Sequence, residues 1–228
     1  MEILIECNPG INKHPGVNMK TIDTFLKASS ARHDHLCPRQ VLGVRIGLAG
    51  ATCLGLDVPR DDKRLLAILE MDGCFADGVE VATGCTVGHR TMRVEDYGKV
   101  AAVFVDVKTG QALRIAPALD CREKAFNYIP EETRHYFVQL RAYQFMPDTE
   151  LLTVTPVHLT TPVEWIINRP GIRVDCSICG EEIVNERETR QGDQVFCRAC
   201  AGQAYYQPMP REQDMLNQGS LSISEARR

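Results

Sequence analysis

Aromatic residues are scarce in this chain, at 6% of 228 residues with a single tryptophan. That argues against a stacking platform for single-stranded nucleic acid. An excess of one charge is also missing: 26 basic residues stand against 30 acidic ones, for a net charge of -4. A protein that grips phosphates by bulk positive charge is therefore disfavoured. Long apolar runs are lacking too. The longest weakly polar stretch, 42–56, is too short to span a bilayer and carries Arg45. The start holds Glu2 and Glu6 with no basic stretch before an apolar run, so it does not read as a secretory signal. The expected compartment is the cytoplasm. Internal repeats and low-complexity tracts are absent as well. What is left is ordinary globular composition, 44% hydrophobic and 25% charged, enough to bury a real core.

Cysteine is plentiful by contrast. Ten are present, at 7, 37, 53, 74, 85, 121, 176, 179, 197 and 200. A chain of this size needs no disulfide staples, and in a reducing compartment clustered cysteines bind metal or do redox chemistry. The last four are spaced as a metal site. Cys176-Ser-Ile-Cys179, seventeen residues, then Cys197-Arg-Ala-Cys200 form a CxxC…CxxC pair. Two such knuckles bring four thiolates to one tetrahedral zinc. Gly180 follows the first knuckle, where a tight turn is usual. The stretch between fits a hairpin turning at Gln191-Gly192-Asp193. So short a unit cannot build a stable core alone, so the metal would supply the folding energy. Four cysteines close the coordination shell, which marks the zinc as structural. A pair of redox dithiols is the competing reading. Between Pro170 and Pro210 stand Arg173, Arg187, Arg190 and Arg198 against six acids, Asp175, Glu181, Glu182, Glu186, Glu188 and Asp193. That balance favours a protein or intramolecular contact over phosphate.

The rest of the chain mixes helix and strand without a βαβ rhythm. The expected class is α+β: a mixed sheet with packed helices, followed by the small ribbon. Residues 21–30 read as a short helix with Ile22, Phe25 and Leu26 on one face. Pro38 suits the first turn of a longer helix, with Cys37 at its edge. Gly43, Gly47, Ala49 and Gly50 predict a buried helix that another element approaches closely. Residues 65–71 and 100–107 read as strands, the second returning through Lys108-Thr109-Gly110 into 112–116. Residues 77–83 and 130–144 read as helices, the latter with Phe137, Leu140 and Tyr143 apolar, and 151–158 as a further strand. Composition shifts at Asn168-Arg169-Pro170-Gly171. The expected domains are 1–168 as core, 169–206 as ribbon, and 207–228 as a polar, disordered tail.

A second constellation lies in the core. His33-Asp34-His35-Leu36-Cys37-Pro38 puts two imidazoles and a thiol on one side of an extended segment. A helix N-terminus favours the thiolate of Cys37. Cys74 and Cys85 lie beside glycines that let backbone come close to a ligand. His33, His35, Cys37, Cys74 and Cys85 are thus candidate ligands of a second transition metal, zinc among the choices. Fewer than four protein ligands would leave room for water or substrate, with His35, Cys37 and Cys74 as catalytic candidates. Glu70, Asp72 and Asp77 are candidates to orient the histidines. Lys99 and Arg114 are candidates to hold an anionic ligand. Cys7, Cys53 and Cys121 have no partner at useful spacing, and Cys53 reads as a small core residue.

Together these stretches, with Leu42-Gly43-Val44-Arg45, Cys74-Phe75-Ala76-Asp77-Gly78, Gly84-Cys85-Thr86-Val87-Gly88 and Asp96-Tyr97-Gly98-Lys99, resemble the FmdE family of formylmethanofuran dehydrogenase components. The resemblance covers roughly 20–145, and members with a C-terminal zinc ribbon match 176–206 as well. It implies an α+β core, a homodimer, and a His/Cys cluster in an active-site cleft. It also implies an accessory association with a molybdenum or tungsten enzyme of one-carbon metabolism, although many members occur where that pathway is not expected. The sequence departs from the family at Asp34 and Arg39, where glycine is usual, and at His89 and Arg90, where lysine and glycine are usual. Two readings follow. One is a metal-dependent protein acting on a small molecule or a redox partner. The other is a non-enzymatic accessory or metal-delivery module that docks through the ribbon. A ribbon acting on nucleic acid is the weakest reading.

Overall fold

The computed structural model describes residues 22–33 and 35–209. The readings placed on residues 1–20, on Cys7, on Asp34 and on the end of the tail lie outside the described residues. Among the described residues no helix is long and apolar enough to cross a membrane. The chain divides between Ile166 and Ile167 into two compact units.

The first unit opens with α1 (Ile22–Ser30) and α2 (Pro38–Cys53). Pro38 occupies the first turn of α2, where its missing N–H costs nothing. Cys37 is the N-cap, and the fully buried Gln40 reaches back to accept its backbone N–H at 2.8 Å. The same amide donates to Ser29 O at 2.9 Å, which ties α2 to the end of α1. Then come β1 (Leu65–Leu69), α3 (Cys74–Thr83), β2 (Met92–Val94), β3 (Ala102–Asp106) and β4 (Ala112–Pro117). α4 (Cys121–Tyr128), α5 (His135–Ala142), α6 (Asp148–Leu151), β5 (Leu152–Val157) and α7 (Val163–Ile167) complete it. The class is α+β, as the sequence predicts. The five strands form one mixed sheet in the order β2-β1-β3-β4-β5, parallel only between β1 and β2.

Strand register sets the core. Ala67, Phe104 and Leu113 lie side by side on the face turned to the helices. α2 lies on that face so closely that a Cβ on Gly50 would stand 2.3 Å from the Phe104 ring. The opposite face carries a smaller cluster of Leu66, Val105 and Ala112 beside Val163 and Ile166. The hairpin between β3 and β4 turns where expected, with Thr109 N–H and Gly110 N–H donating to Asp106 O. Asp106 in turn takes both arms of Arg64, at 3.0 and 2.8 Å.

Several expectations shift. α3 begins at Cys74, three residues before the expected start. α5 is shorter than 130–144, and its inward residues are Val138, Ala142 and the following Tyr143, whereas Phe137 is partly exposed. At its C-terminal end the Arg45 guanidinium donates to Tyr143 O at 2.7 Å, Met146 O at 2.6 Å and Asp148 Oδ1 at 2.5 Å. A half-buried arginine thus holds the carbonyls that follow α5. Cys53 is not a plain core thiol but is disulfide-bonded.

The second unit holds β6 (Arg173–Asp175), paired with β7 (Glu182–Val184), and β8 (Thr189–Gln191), paired with β9 (Gln194–Phe196). β8 and β9 turn at Gly192-Asp193, with Gly192 at φ +61°. A short helical turn follows, at Ala199–Gln203.

Candidate functional site

The strongest cluster sits in the second unit. The sulfur atoms of Cys176, Cys179, Cys197 and Cys200 all lie within 4.8 Å of one another, and Cys179 Sγ is 3.9 Å from Cys197 Sγ. A tetrahedron with metal–sulfur bonds of ~2.3 Å has sulfur–sulfur edges of about 3.8 Å. The donor set and its spacing therefore fit a metal ion such as zinc. Local backbone builds the knuckles. Gly180 at φ +75° lets its N–H turn back to Cys176 O at 2.9 Å. Cys197 N–H donates to Cys176 Sγ, and Cys200 N–H to Cys197 Sγ. The thiols are unequal. Backbone N–H groups of Cys179 and Cys197 pull Cys176 down to about 6. The Cys197 thiol, with burial, pushes Cys200 up to about 12. A bound Zn²⁺ would deprotonate all four.

The core constellation is assembled by helix packing. Gly43 abuts Phe75 and Gly78, and Gly47 abuts Ala82 and Thr83, so rising numbers meet along α2 and α3 and the helices run parallel. A Cβ on Gly43 would stand 2.3 Å from Phe75 O, and one on Gly78 would stand 2.4 Å from Gln40 O. Only two facing glycines allow that approach. Because the helices are parallel, their N-termini share one end, and each carries a cysteine there: Cys37 as N-cap of α2, Cys74 as the first residue of α3. Burial raises the Cys74 thiol, and the neighbouring Cys37 thiol raises it further. Cys37 is buried and Cys74 half-buried.

His33 lies next to this end of α3. Its Nε2 meets Asp77 Oδ2 at 2.5 Å, so Asp77 orients a histidine. Arg32 reaches Asp77 at 3.6 Å and Glu80 at 2.8 Å, extending the polar rim. A shallow groove of about 520 Å³ runs beside His33, bounded by Leu26, Lys27, Leu36 and Gln144. His35 is exposed. Among the described residues, only the four ribbon cysteines gather three or more metal-ligating groups at ligand spacing.

Other candidates lie elsewhere. Cys85 follows the C-terminal end of α3, the opposite end from Cys74, and ten helical residues span ~15 Å. Its buried thiol donates to Leu65 O at 3.5 Å, and burial raises it. Cys85 is therefore not brought to the Cys37–Cys74 pair. Glu70 does not orient a histidine. It takes both arms of Arg114, at 2.6 and 2.7 Å, and that guanidinium holds its carboxyl below the usual range against the opposing effect of burial. Arg114 is thereby committed to Glu70, and Lys99 adds a weaker attraction to the same carboxylate. Asp72 is exposed. Cys121 is buried 3.9 Å from Tyr143 Oη.

Tyr136 escaped the sequence reading. Its hydroxyl donates to Leu36 O at 3.4 Å, next to Cys37. Burial raises the phenol, and then so do Cys37 and Cys74. The only available signal was its place on the outer side of a helix read for its apolar residues.

The family model described as FmdE, molybdenum formylmethanofuran dehydrogenase operon, matches residues 32–153. A curated protein of Archaeoglobus fulgidus, named a probable S-adenosyl-L-methionine-binding protein, is 37% identical over 194 residues, covering 76% of this chain and 51% of that protein. The chain thus spans about half the length of that relative. A crystal structure of a tungsten formylmethanofuran dehydrogenase FmdE-like protein from Syntrophus aciditrophicus superposes with TM-score 0.52 at 21% identity. It covers 82% of this chain and 95% of that one. That likeness concerns the fold.

Proposed function

Because the chain belongs to the FmdE family, we propose that it is a two-site metal protein. A structural zinc closes the ribbon. An open transition-metal site in the core is held by Cys37 and Cys74, with an imidazole of His33 or His35 as further ligand. The observation that carries the reading is the convergence of two cysteines, distant in sequence, at the shared end of two parallel helices. Soft thiolates with imidazole suit zinc or a redox metal. The Asp77–His33 contact has the form of a carboxylate that sets the ring of a ligating histidine, with Nδ1 as the remaining nitrogen. A metal with few protein ligands supplies a Lewis acid or an activated water. Cys37 and Cys74 serve as ligands, and the exposed His35 is the acid–base group. The cytoplasmic homodimer, and the tie to one-carbon metabolism beside a molybdenum or tungsten enzyme, rest on the family alone.

Elemental analysis of the anaerobically purified full chain tests this. Two metals are expected, one lost in the Cys37→Ser/Cys74→Ser protein and the other in the Cys176→Ser/Cys200→Ser protein. A single metal that follows only the ribbon substitutions overturns the core site.

The Archaeoglobus fulgidus relative favours a second reading, in which this chain takes S-adenosyl-L-methionine. Equilibrium dialysis with that nucleoside checks it. Stoichiometric binding supports the reading, and none at millimolar ligand removes it.

A further inference from the structure

The cysteine pair at the N-termini of α2 and α3 has the parts of a thiol–disulfide couple, independent of any metal. The backbones of the two helices touch through Gly43 and Gly78, so the positions of Cys37 and Cys74 are fixed by packing and not by a mobile loop. Cys37 and Cys74 stand at the same end of that packed helix pair. Exposure differs between the two: Cys74 is half-buried and Cys37 buried. That asymmetry is what disulfide exchange uses, an accessible sulfur that meets the external partner and a shielded one that resolves.

We propose that Cys37 and Cys74 form a reversible dithiol–disulfide pair that exchanges with a low-molecular-weight or protein disulfide. The Cys74 thiolate attacks the external disulfide, forms a mixed disulfide and expels one thiolate. Cys37 then attacks Cys74 Sγ, closes the internal bond and expels the second. The protein gives up two electrons and two protons, and the external disulfide becomes two thiols. Closure ties the starts of α2 and α3 together and removes both sulfurs from metal binding. The proposal shares its residues with the metal site of the core but does not require that metal.

The test uses the full chain, treated briefly with a chelator that leaves the ribbon zinc in place, then equilibrated over a series of reduced and oxidised glutathione. Peptide mapping after alkylation reads the state of each cysteine. The expected result is a peptide pair joined Cys37 to Cys74, two mass units lighter than the dithiol, appearing at one glutathione poise and reversed by dithiothreitol. In Cys37→Ser a stable glutathione adduct on Cys74 replaces it. Cys85→Ser leaves the crosslink unchanged. Persistent adducts on Cys74 with Cys37 free in the unsubstituted chain, or no oxidation across the series, overturn the proposal. Failure here with metal still bound at the core spares the metal reading. A crosslink in a core that never holds metal does the reverse.

Discussion

The two cysteine clusters are built in opposite ways. In the ribbon, four thiols come from two knuckles, and the unit around them buries few large apolar side chains, chiefly Ile183 and Phe196. Two-stranded pairs are marginal alone in water, so a metal held by the four thiols would be the core of that unit. In the first unit, Cys37 and Cys74 rest on a sheet and helix core in which Ile46, Phe75, Phe104, Leu113 and Ile115 are fully buried. Fully burying each such side chain is worth ~1.5–3 kcal/mol. One site makes its fold; the other is made by its fold. The core pair should keep its geometry without a ligand, and the ribbon should not.

The largest effect expected is therefore in the ribbon. Cys176→Ser, or chelation of the full chain, should abolish hydrogen-exchange protection across β6 to β9 while β1, β3 and β4 keep theirs. Structural zinc contributes an apparent ~10–16 kcal/mol in small finger units, which no apolar contact there can replace. A ribbon that stays protected without metal would erase the contrast. The converse perturbation comes next. Gly43→Ala puts a Cβ 2.3 Å from Phe75 O and pushes α2 from α3. Overpacking typically costs ~1–3 kcal/mol, and the better helix propensity of alanine returns at most about 1. Urea unfolding of the first unit should show a net loss, together with a smaller yield of the Cys37–Cys74 crosslink. A stabilised variant would mean that the helices are not held by this contact.

The contrast also explains what the sequence made legible. The ribbon knuckles are local, so spacing alone announced them. Strands β1, β3, β4 and β5, the hairpin at Lys108-Thr109-Gly110 and the small residues of α2 followed from patterns a few residues long, whereas the three-residue β2 offered no such pattern. The pairing of Cys37 with Cys74 needed the direction of α3 relative to α2, which no local pattern carries. The same limit misplaced Cys85: it follows the helix that Cys74 begins and so stands at the other end, a matter of rise along the axis. Glu70 and Arg114 read separately as an orienting acid and an anion site. Cross-strand geometry commits each to the other. Tyr136 was hidden because a helix read for its buried stripe says little about a tyrosine on its rim.

A smaller effect lies in that ion pair. Arg114 holds the Glu70 carboxyl below its ordinary 4.5 in the folded chain. The folded value is thus lower than the unfolded one, so the pair's contribution is complete above the unfolded value. It fades as pH falls through the lowered folded value. Thermal melts of the first unit should therefore steepen their loss on the acid side of pH 4.5. Glu70→Gln should melt lower at pH 7 with a shallower acid limb, and identical limbs would remove the pair from the account. Acid acts on the ribbon by another route, since protons compete with metal for the thiolates.

The smallest effect concerns backbone, and it sharpens the comparison most finely. Arg90 adopts φ +64°, a left-handed conformation that a side chain disfavours by roughly 1–2 kcal/mol. Arg90→Gly relieves that strain while adding roughly 0.5–1 kcal/mol of chain entropy to lose. A net gain of up to about 1.5 kcal/mol should appear directly in urea unfolding of the first unit, because that unit's stability is a sum of many packing contributions. The ribbon offers a matched position: Glu186 sits at φ +57°. Glu186→Gly relieves strain of the same kind, yet in a unit held by metal it should leave hydrogen exchange of the loaded ribbon unchanged. Its effect should surface only as slower metal release to a chelator. Equal effects of the two glycines on unfolding would mean that the ribbon, like the core, is held by packing.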